Sequence, residues 1–483
     1  MFAFYKICDR IGIEVVQTNK NAPQERSADM EKRNRDTLFQ FTGRPPMGSA
    51  LSLALQHLVA MIVGCVTPAI MIANVAGLPQ YQEVLLIQSS LVVSALSTLL
   101  QLFPLGPKAL RLGAGLPVIL GVSFAYVPSM QAIAAGGGGV AAIAGAMVVG
   151  GIVALIVGLM VDKIRVLFPP VITGTVVFTI GLSLYPTAIN YMAGGTGNTA
   201  EAIAAAGLPE SMIYGSWQNW LVAVVTLVAV MVLNQKGKGI CKLASILLGM
   251  IIGYILSAFF GMVSFDKVGQ AAWFALPEVL PFGITFEPSA CIAIGLLFAI
   301  NAIQAIGDFT ATTVGGLGRQ PTNQELRGGI TAYGVVNVIS AFLGGLPTAT
   351  YSQNVGIVTT NKVVNRTVFT LAAAFLLLAG VSPKFSALLT TIPQCVLGGA
   401  TITVFSTIAM TGMKLIASAK LDARNTTIVG LSAALGVGIS QSSAALSQFP
   451  ESVAVIFGKS PVVIATILAV VLNLLLPKEE KES

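Results

Sequence analysis

Long apolar runs divided by short polar breaks set the pattern of this chain. Runs of roughly twenty apolar residues, the length at which a helix crosses a bilayer, begin near Ala50, Glu83, Gly139, Phe168, Trp217, Ile240, Pro288, Gly328, Thr367, Pro393, Asn425 and Val455. Two further apolar segments, 115–130 and 346–358, are about half that length and are interrupted by Gly and Pro. Together they predict about fourteen crossings. The two short segments open alike, with Gly115-Leu116-Pro117 in one and Gly344-Gly345-Leu346-Pro347 in the other, 230 residues apart. Ser123, followed by Phe124, stands six residues after Pro117, and Gln353 stands six residues after Pro347. A second correspondence sets Pro170 to Thr175 against Pro393 to Gly399 at an offset of 223. Two matches at nearly one spacing predict a duplication with seven crossings in each half. An odd number inverts the second copy, and paired interrupted segments in inverted repeats mark a transporter's substrate site.

Composition agrees with membrane residence. The chain of 483 residues is 55% hydrophobic and 10% charged, with a mean hydropathy of +0.83, a balance that excludes an ordinary soluble protein. Basic residues concentrate on cytoplasmic loops. With both termini inside, the fourteen-span topology places all but Lys267, Lys384 and Lys459 of the 27 Lys and Arg on that side. The net charge of +7 therefore needs no nucleic-acid partner. Residues 1–49 carry eight basic and six acidic side chains and read as a solvated cytoplasmic tail without a signal-peptide pattern. The five cysteines are scattered singly, with neither metal-ligand spacing nor a disulfide framework, and read as small buried hydrophobes.

Four polar groups interrupt the apolar runs: Gln56-His57, Gln304 with Asp308, Tyr333 with Asn337, and Gln353-Asn354. Polar side chains at membrane depth are costly unless something binds them. His57, the single histidine, reads either as a helix-packing residue or as a contact for substrate or protons. Asp308 lies one helical turn beyond Gln304, so both share a face, and it needs either a partner or hydration. Two amides, Gln304 and Gln353, offer the alternating donors and acceptors that suit a flat heterocycle with C=O and N-H edges. Phe124 or Tyr126 would supply a ring face. Half-helix N-termini near the midplane would add partial positive charge.

These motifs resemble the nucleobase-ascorbate transporter family, the nucleobase-cation symporters, over nearly all of residues 45–475. The family signature of the tenth span is matched by Gln353-Asn354-Val355-Gly356 and, four residues on, Asn361-Lys362, with Asn361 in place of the family's Thr. Gln56-His57 and Ser123-Phe124-Ala125-Tyr126 match the first and third spans. The resemblance implies an all-α polytopic membrane protein of the seven-plus-seven inverted-repeat type. It also implies a core domain (50–161 and 285–391), a gate domain (162–284 and 392–476), a cytoplasmic tail at 477–483, and homodimers in the plasma membrane. Its expected cargo is a purine nucleobase, xanthine or uric acid, moved by an elevator-type alternation with protons as the coupling ion. Substrate binding is expected at Gln304, Gln353, Asn354, Phe124 and Ser123, and coupling or gating at His57, Asp308 and Tyr333, with no cofactor or metal.

Two departures change that expectation. Gln304 stands where proton-coupled members carry Glu, and Tyr333 stands where purine permeases tend to carry Asp. A Gln neither takes up nor releases a proton, so an uncoupled nucleobase facilitator is the alternative, as is an anion transporter of the same architecture using helix N-termini. A membrane enzyme would need a nucleophile paired with a base, which the chain lacks in its motifs.

Overall fold

The computed structural model describes residues 37–107, 111–164, 169–238, 240–449 and 460–477. Most of the expected tail, Lys108, Arg165, Lys459, Lys478, Lys481, Cys8 and the start of the last apolar run at Val455 lie outside the described residues.

Fourteen segments follow in chain order: α1 Met47–Val75, α2 Gln80–Leu102, the strand β1 Leu120–Val122 leading to α3 Val127–Ile133, α4 Gly139–Leu159, α5 Pro170–Met192, α6 Trp217–Lys236, α7 Ser245–Phe259, α8 Pro288–Thr312, α9 Asn323–Phe342, the strand β2 Thr348–Thr350 leading to α10 Ser352–Asn361, α11 Arg366–Gly380, α12 Gln394–Ala417, α13 Ala423–Gln441 and α14 Pro461–Leu475. Seven helical spans among the described residues are long and apolar enough to cross a membrane unaided, and α11 with the helix Pro383–Thr390, bent from it by 79°, makes an eighth. Punctuation explains the boundaries. Proline opens α5, α8 and α14 at the first turn, where the missing N–H is no loss. Side chains cap others: Ser216 for α6, Asp422 for α13, and a full capping box of Thr322 with Glu325 for α9. That box starts α9 five residues before the apolar run at Gly328, because Arg319 neutralises Glu325 in a two-pronged ion pair.

Two bundles result. In one, α4 packs on α8 and α9 while α1 and α2 pack on α11; in the other, α12 packs on α5, α6 and α7 while α13 and α14 close on each other and on α5. The α5–α12 crossing is tight: a Cβ on Gly412 would sit 2.2 Å from the Phe178 amide nitrogen, so only a small residue lets these backbones meet. The bundles touch through single neutral bonds, Ser129 Oγ to Ser460 Oγ at 2.7 Å and Thr187 Oγ1 to Gln131 Oε1 at 3.3 Å. A chain segment crosses one end of the first bundle, with Ala275 N bonded to Val381 O, Leu280 N to Phe342 O and Thr285 N to Ala141 O. From Pro383–Thr390, only Thr391, Ile392 and Pro393 lead into α12, and the Thr391 hydroxyl bonds Tyr254 of α7 at 2.6 Å.

The all-α expectation gains one element. β1 and β2 pair antiparallel, Leu120 opposite Thr350 and Val122 opposite Thr348. Extended backbone inside a membrane must be satisfied by protein, and each interrupted segment satisfies the other. The repeat register also shifts: the strands begin at Leu120 and Thr348, 228 residues apart. Ser123 thus corresponds to Tyr351, each preceding its helix, and not to Gln353. Val118 and Ile119 separate Pro117 from its strand, whereas Pro347 abuts the other directly.

Candidate substrate site

The paired strands bring the two half-helices to a crossing, and Tyr351 pins it. Its phenol donates to Val122 O at 2.6 Å and lies 3.4 Å from Cys65 Sγ. A Cβ on Gly121 would meet Cys65 Sγ at 2.7 Å and the Tyr351 ring at 2.9 Å, so glycine leaves the slot that the phenol fills.

Asp308 reaches the start of α10 from α8. Ser352 Oγ donates to its Oδ1 at 2.9 Å, and Thr350 Oγ1 donates to Oδ2. The carboxylate is buried, and its position beside a helix N-terminus complements the helix dipole. One turn back, Gln304 is partly exposed, and Gln353 is exposed at the first turn of α10. Both line a cavity of about 220 Å³ between the bundles, together with Ser123 and Phe124 from the first bundle and Val177, Val404, Thr407 and Thr411 from the second. Phe124 stands edge-on to Phe405 of α12 at 5.2 Å. A second cavity of about 560 Å³ shares Gln304, Ser352, Val177 and Thr411, and extends past Asp308 to Pro169 and Leu415. Among the described residues, Asp308 is the single carboxylate lining either cavity.

Gln304, Gln353, Ser123 and Phe124 therefore share one cavity, and Asp308 borders the next. Three other expected site residues lie elsewhere. Asn354 points away from the cavity: its Nδ2 lies 3.1 Å from both His57 Nδ1 and His57 O. Its donation makes Nδ1 the acceptor and leaves the proton on Nε2. His57 is 1% exposed and packs on Phe369 with ring centroids 4.7 Å apart. Tyr333 is 1% exposed and hydrogen-bonds the phenol of Tyr126 behind the cavity wall. α10 is a helix, so consecutive residues Gln353 and Asn354 diverge by about 100°, and one side chain faces the cavity while its neighbour faces α1. The residue-by-residue reading missed Thr350 and Ser352 as the partners of Asp308, and missed the hydroxyls of Thr407 and Thr411 on the opposite bundle. The run of hydroxyls in Thr348-Ala349-Thr350-Tyr351-Ser352 was the available signal.

Among the described residues, fourteen segments, two of them broken and crossed, around a polar-edged cavity between two bundles define a multi-pass membrane transport protein of the seven-plus-seven inverted-repeat fold. The transmembrane domain of the bicarbonate transporter BicA from a cyanobacterium superposes with a TM-score of 0.55 at 15% identity, covering 88% of this chain and 97% of that one. The family model Xan_ur_permease, described as a permease family, matches residues 48–445. The chain belongs to this family, the nucleobase-ascorbate transporters, and is a permease, not an enzyme. It is 32% identical over 434 residues to the uric acid permease PucJ of Bacillus subtilis, covering 89% of this chain and 93% of the relative. It is 30% identical over 466 residues to the xanthine permease XanP of Escherichia coli, covering 93% and 97% respectively.

Proposed function

We propose that the protein carries an oxopurine, xanthine or uric acid, across the plasma membrane, with both termini cytoplasmic and as a homodimer. The observation that carries this reading is the convergence of the Gln304 and Gln353 side chains on one cavity beside the Phe124 ring. Two amides satisfy the C=O and N–H edges of a planar ring, and an aromatic edge excludes water from its face. A site built to pair such edges discriminates by about 1–3 kcal/mol for each group a wrong heterocycle leaves unpaired. The relatives named for xanthine and uric acid support the same substrate class.

In this reading the first bundle (50–161 and 285–391) is the core that holds the purine, and the second (162–284 and 392–476) is the gate. Where the packed helices of the two face each other, away from the crossing segment, single hydrogen bonds such as Ser129 to Ser460 and Thr187 to Gln131 suit a sliding contact. Gln304 contributes a permanent donor where a carboxylate would repel an anion, so the site accepts uric acid as its monoanion. Proton coupling, where it operates, falls to Asp308. An uncoupled carrier is the second reading, favoured by the absence of any other carboxylate along the described cavity walls.

Uptake of labelled xanthine and urate into cells lacking their own purine permeases, with and without a protonophore, tests both. Concentrative uptake abolished by the protonophore supports coupled transport. Uptake that only equilibrates supports the carrier, and no uptake of either purine overturns the substrate assignment.

A further inference from the structure

Tyr333 and Asn337 lie one turn apart on α9, and neither lines either of the two cavities described above, yet each grips a different half of the site. The Tyr333 phenol hydrogen-bonds the phenol of Tyr126, two residues beyond Phe124. Both rings pack on Phe298, with centroids 5.5 Å and 5.0 Å away. Asn337 holds the other half: its Oδ1 accepts from Thr348 N at 2.7 Å, and its Nδ2 donates to Tyr333 O at 2.8 Å. One turn further, Ser340 Oγ donates to Leu346 O at 3.0 Å. One helix thus holds the segment bearing Ser123 and Phe124 and, separately, the strand that delivers Gln353. All four side chains, Tyr126, Tyr333, Asn337 and Ser340, are fully buried.

We propose that α9 is a specificity clamp, in which Tyr333 and Asn337 act as positioning residues that fix the spacing between the Phe124 ring and the Gln353 amide from behind the cavity. The inference rests on the reading above that those two groups hold the purine. The β1–β2 pairing and the Tyr351 bond to Val122 O fix the strands to each other; beyond the strands apolar contacts are non-directional, whereas a phenol pair and an amide-to-backbone bond each have a narrow range of productive geometry. The sequence suits the task. Residues 333 and 337 share one face of α9, and the broken segments they hold have no helix ladder of their own to define position.

The test uses the full-length protein. Tyr333→Phe and Tyr126→Phe each keep a ring on Phe298 and break the bond between the phenols. Each single variant is expected to raise the KM for xanthine or urate about tenfold with Vmax within about twofold. The double variant is expected to be no worse than either single, because each single already removes the one bond the two residues share. Hydrogen exchange in detergent reads the same clamp without substrate: segment 120–133 exchanges faster in each single variant and no faster still in the double. Asn337→Ala speeds exchange at 348–352. Additive KM effects in the double variant, or unchanged exchange in every variant, would overturn the clamp. If Tyr333→Phe does not reach the membrane, Tyr126→Phe removes the same bond from the other side. If the wild-type protein carries neither purine, the transport reading fails while the exchange measurement still decides the clamp.

Discussion

Replacing Asp308 separates two jobs that one carboxylate holds in this site. Its Oδ1 accepts from Ser352 and its Oδ2 from Thr350, so it anchors the junction of β2 and α10 immediately before Gln353. It is also the single carboxylate along either described cavity wall. Asp308→Ala leaves both hydroxyls without their acceptor, at a cost of about 1–3 kcal/mol for each that stays unsatisfied. The start of α10 then loosens, and the KM in substrate counterflow should rise by at least about tenfold. Asp308→Asn keeps one carbonyl acceptor, and Ser352 or Thr350 turns to accept from the new amide. The expected structural loss is about 1 kcal/mol, a change of about fivefold in KM. The Asn side chain has no proton to exchange. Counterflow needs no ion gradient and concentrative uptake does, so the two assays read the two jobs apart. The Asn variant should retain counterflow and lose protonophore-sensitive accumulation, whereas the Ala variant should lose both. Accumulation by the Asn variant that still collapses with a protonophore would refute Asp308 as the coupling group. Wild-type counterflow KM in the Ala variant would refute its anchoring role.

Gln304→Glu introduces an acid into the cavity, and once deprotonated the new carboxylate repels an anionic purine. Urate uptake by this variant should therefore fall with pH relative to wild type, and an unchanged pH profile would exclude a contact. Gly121→Ala forces a Cβ to 2.7 Å from Cys65 Sγ; overpacking of about 1–3 kcal/mol should lower the melting temperature in detergent and raise KM together. Ser129→Cys with Ser460→Cys joins the bundles where their hydroxyls lie 2.7 Å apart. Oxidation should arrest transport and reduction should restore it, and full activity in the oxidised state would exclude relative movement of the bundles at that point.

The crossings were legible because bilayer thickness imposes one length on many unrelated sequences, and the starts at Trp217 and Pro288 fall where Ser216 caps one helix and Pro288 opens the other. The start of α9 was less legible from hydropathy, since Thr322 and Glu325 extend the helix through polar residues; the T-x-x-E spacing of a capping box was the better guide. Gln353, Ser123 and Phe124 meet at one cavity because the paired strands bring the interrupted segments together, and Gln304 joins them from the continuous helix α8. The facing of Asn354 was not legible. Gln353 and Asn354 are adjacent and chemically alike, and only the phase of a ten-residue helix, set by Tyr351 and the strand register, decides which amide meets the cavity and which meets His57. The paired strands were hidden for a different reason: three residues are too few to show an alternating pattern, and their pairing is a contact between distant parts of the chain.

Thr391, Ile392 and Pro393 are all that separates the last helix before α12 from α12 itself. Three residues reach at most about 10 Å even when fully drawn out, and Pro393 fixes one of their torsions. The crossing segment that precedes α8 is longer, but it is itself hydrogen-bonded to the first bundle. The end of Pro383–Thr390 and the start of α12 therefore stay within that reach of each other in every conformation the chain adopts. A label at either end of this link is a fixed reference against which displacement elsewhere between the bundles can be measured.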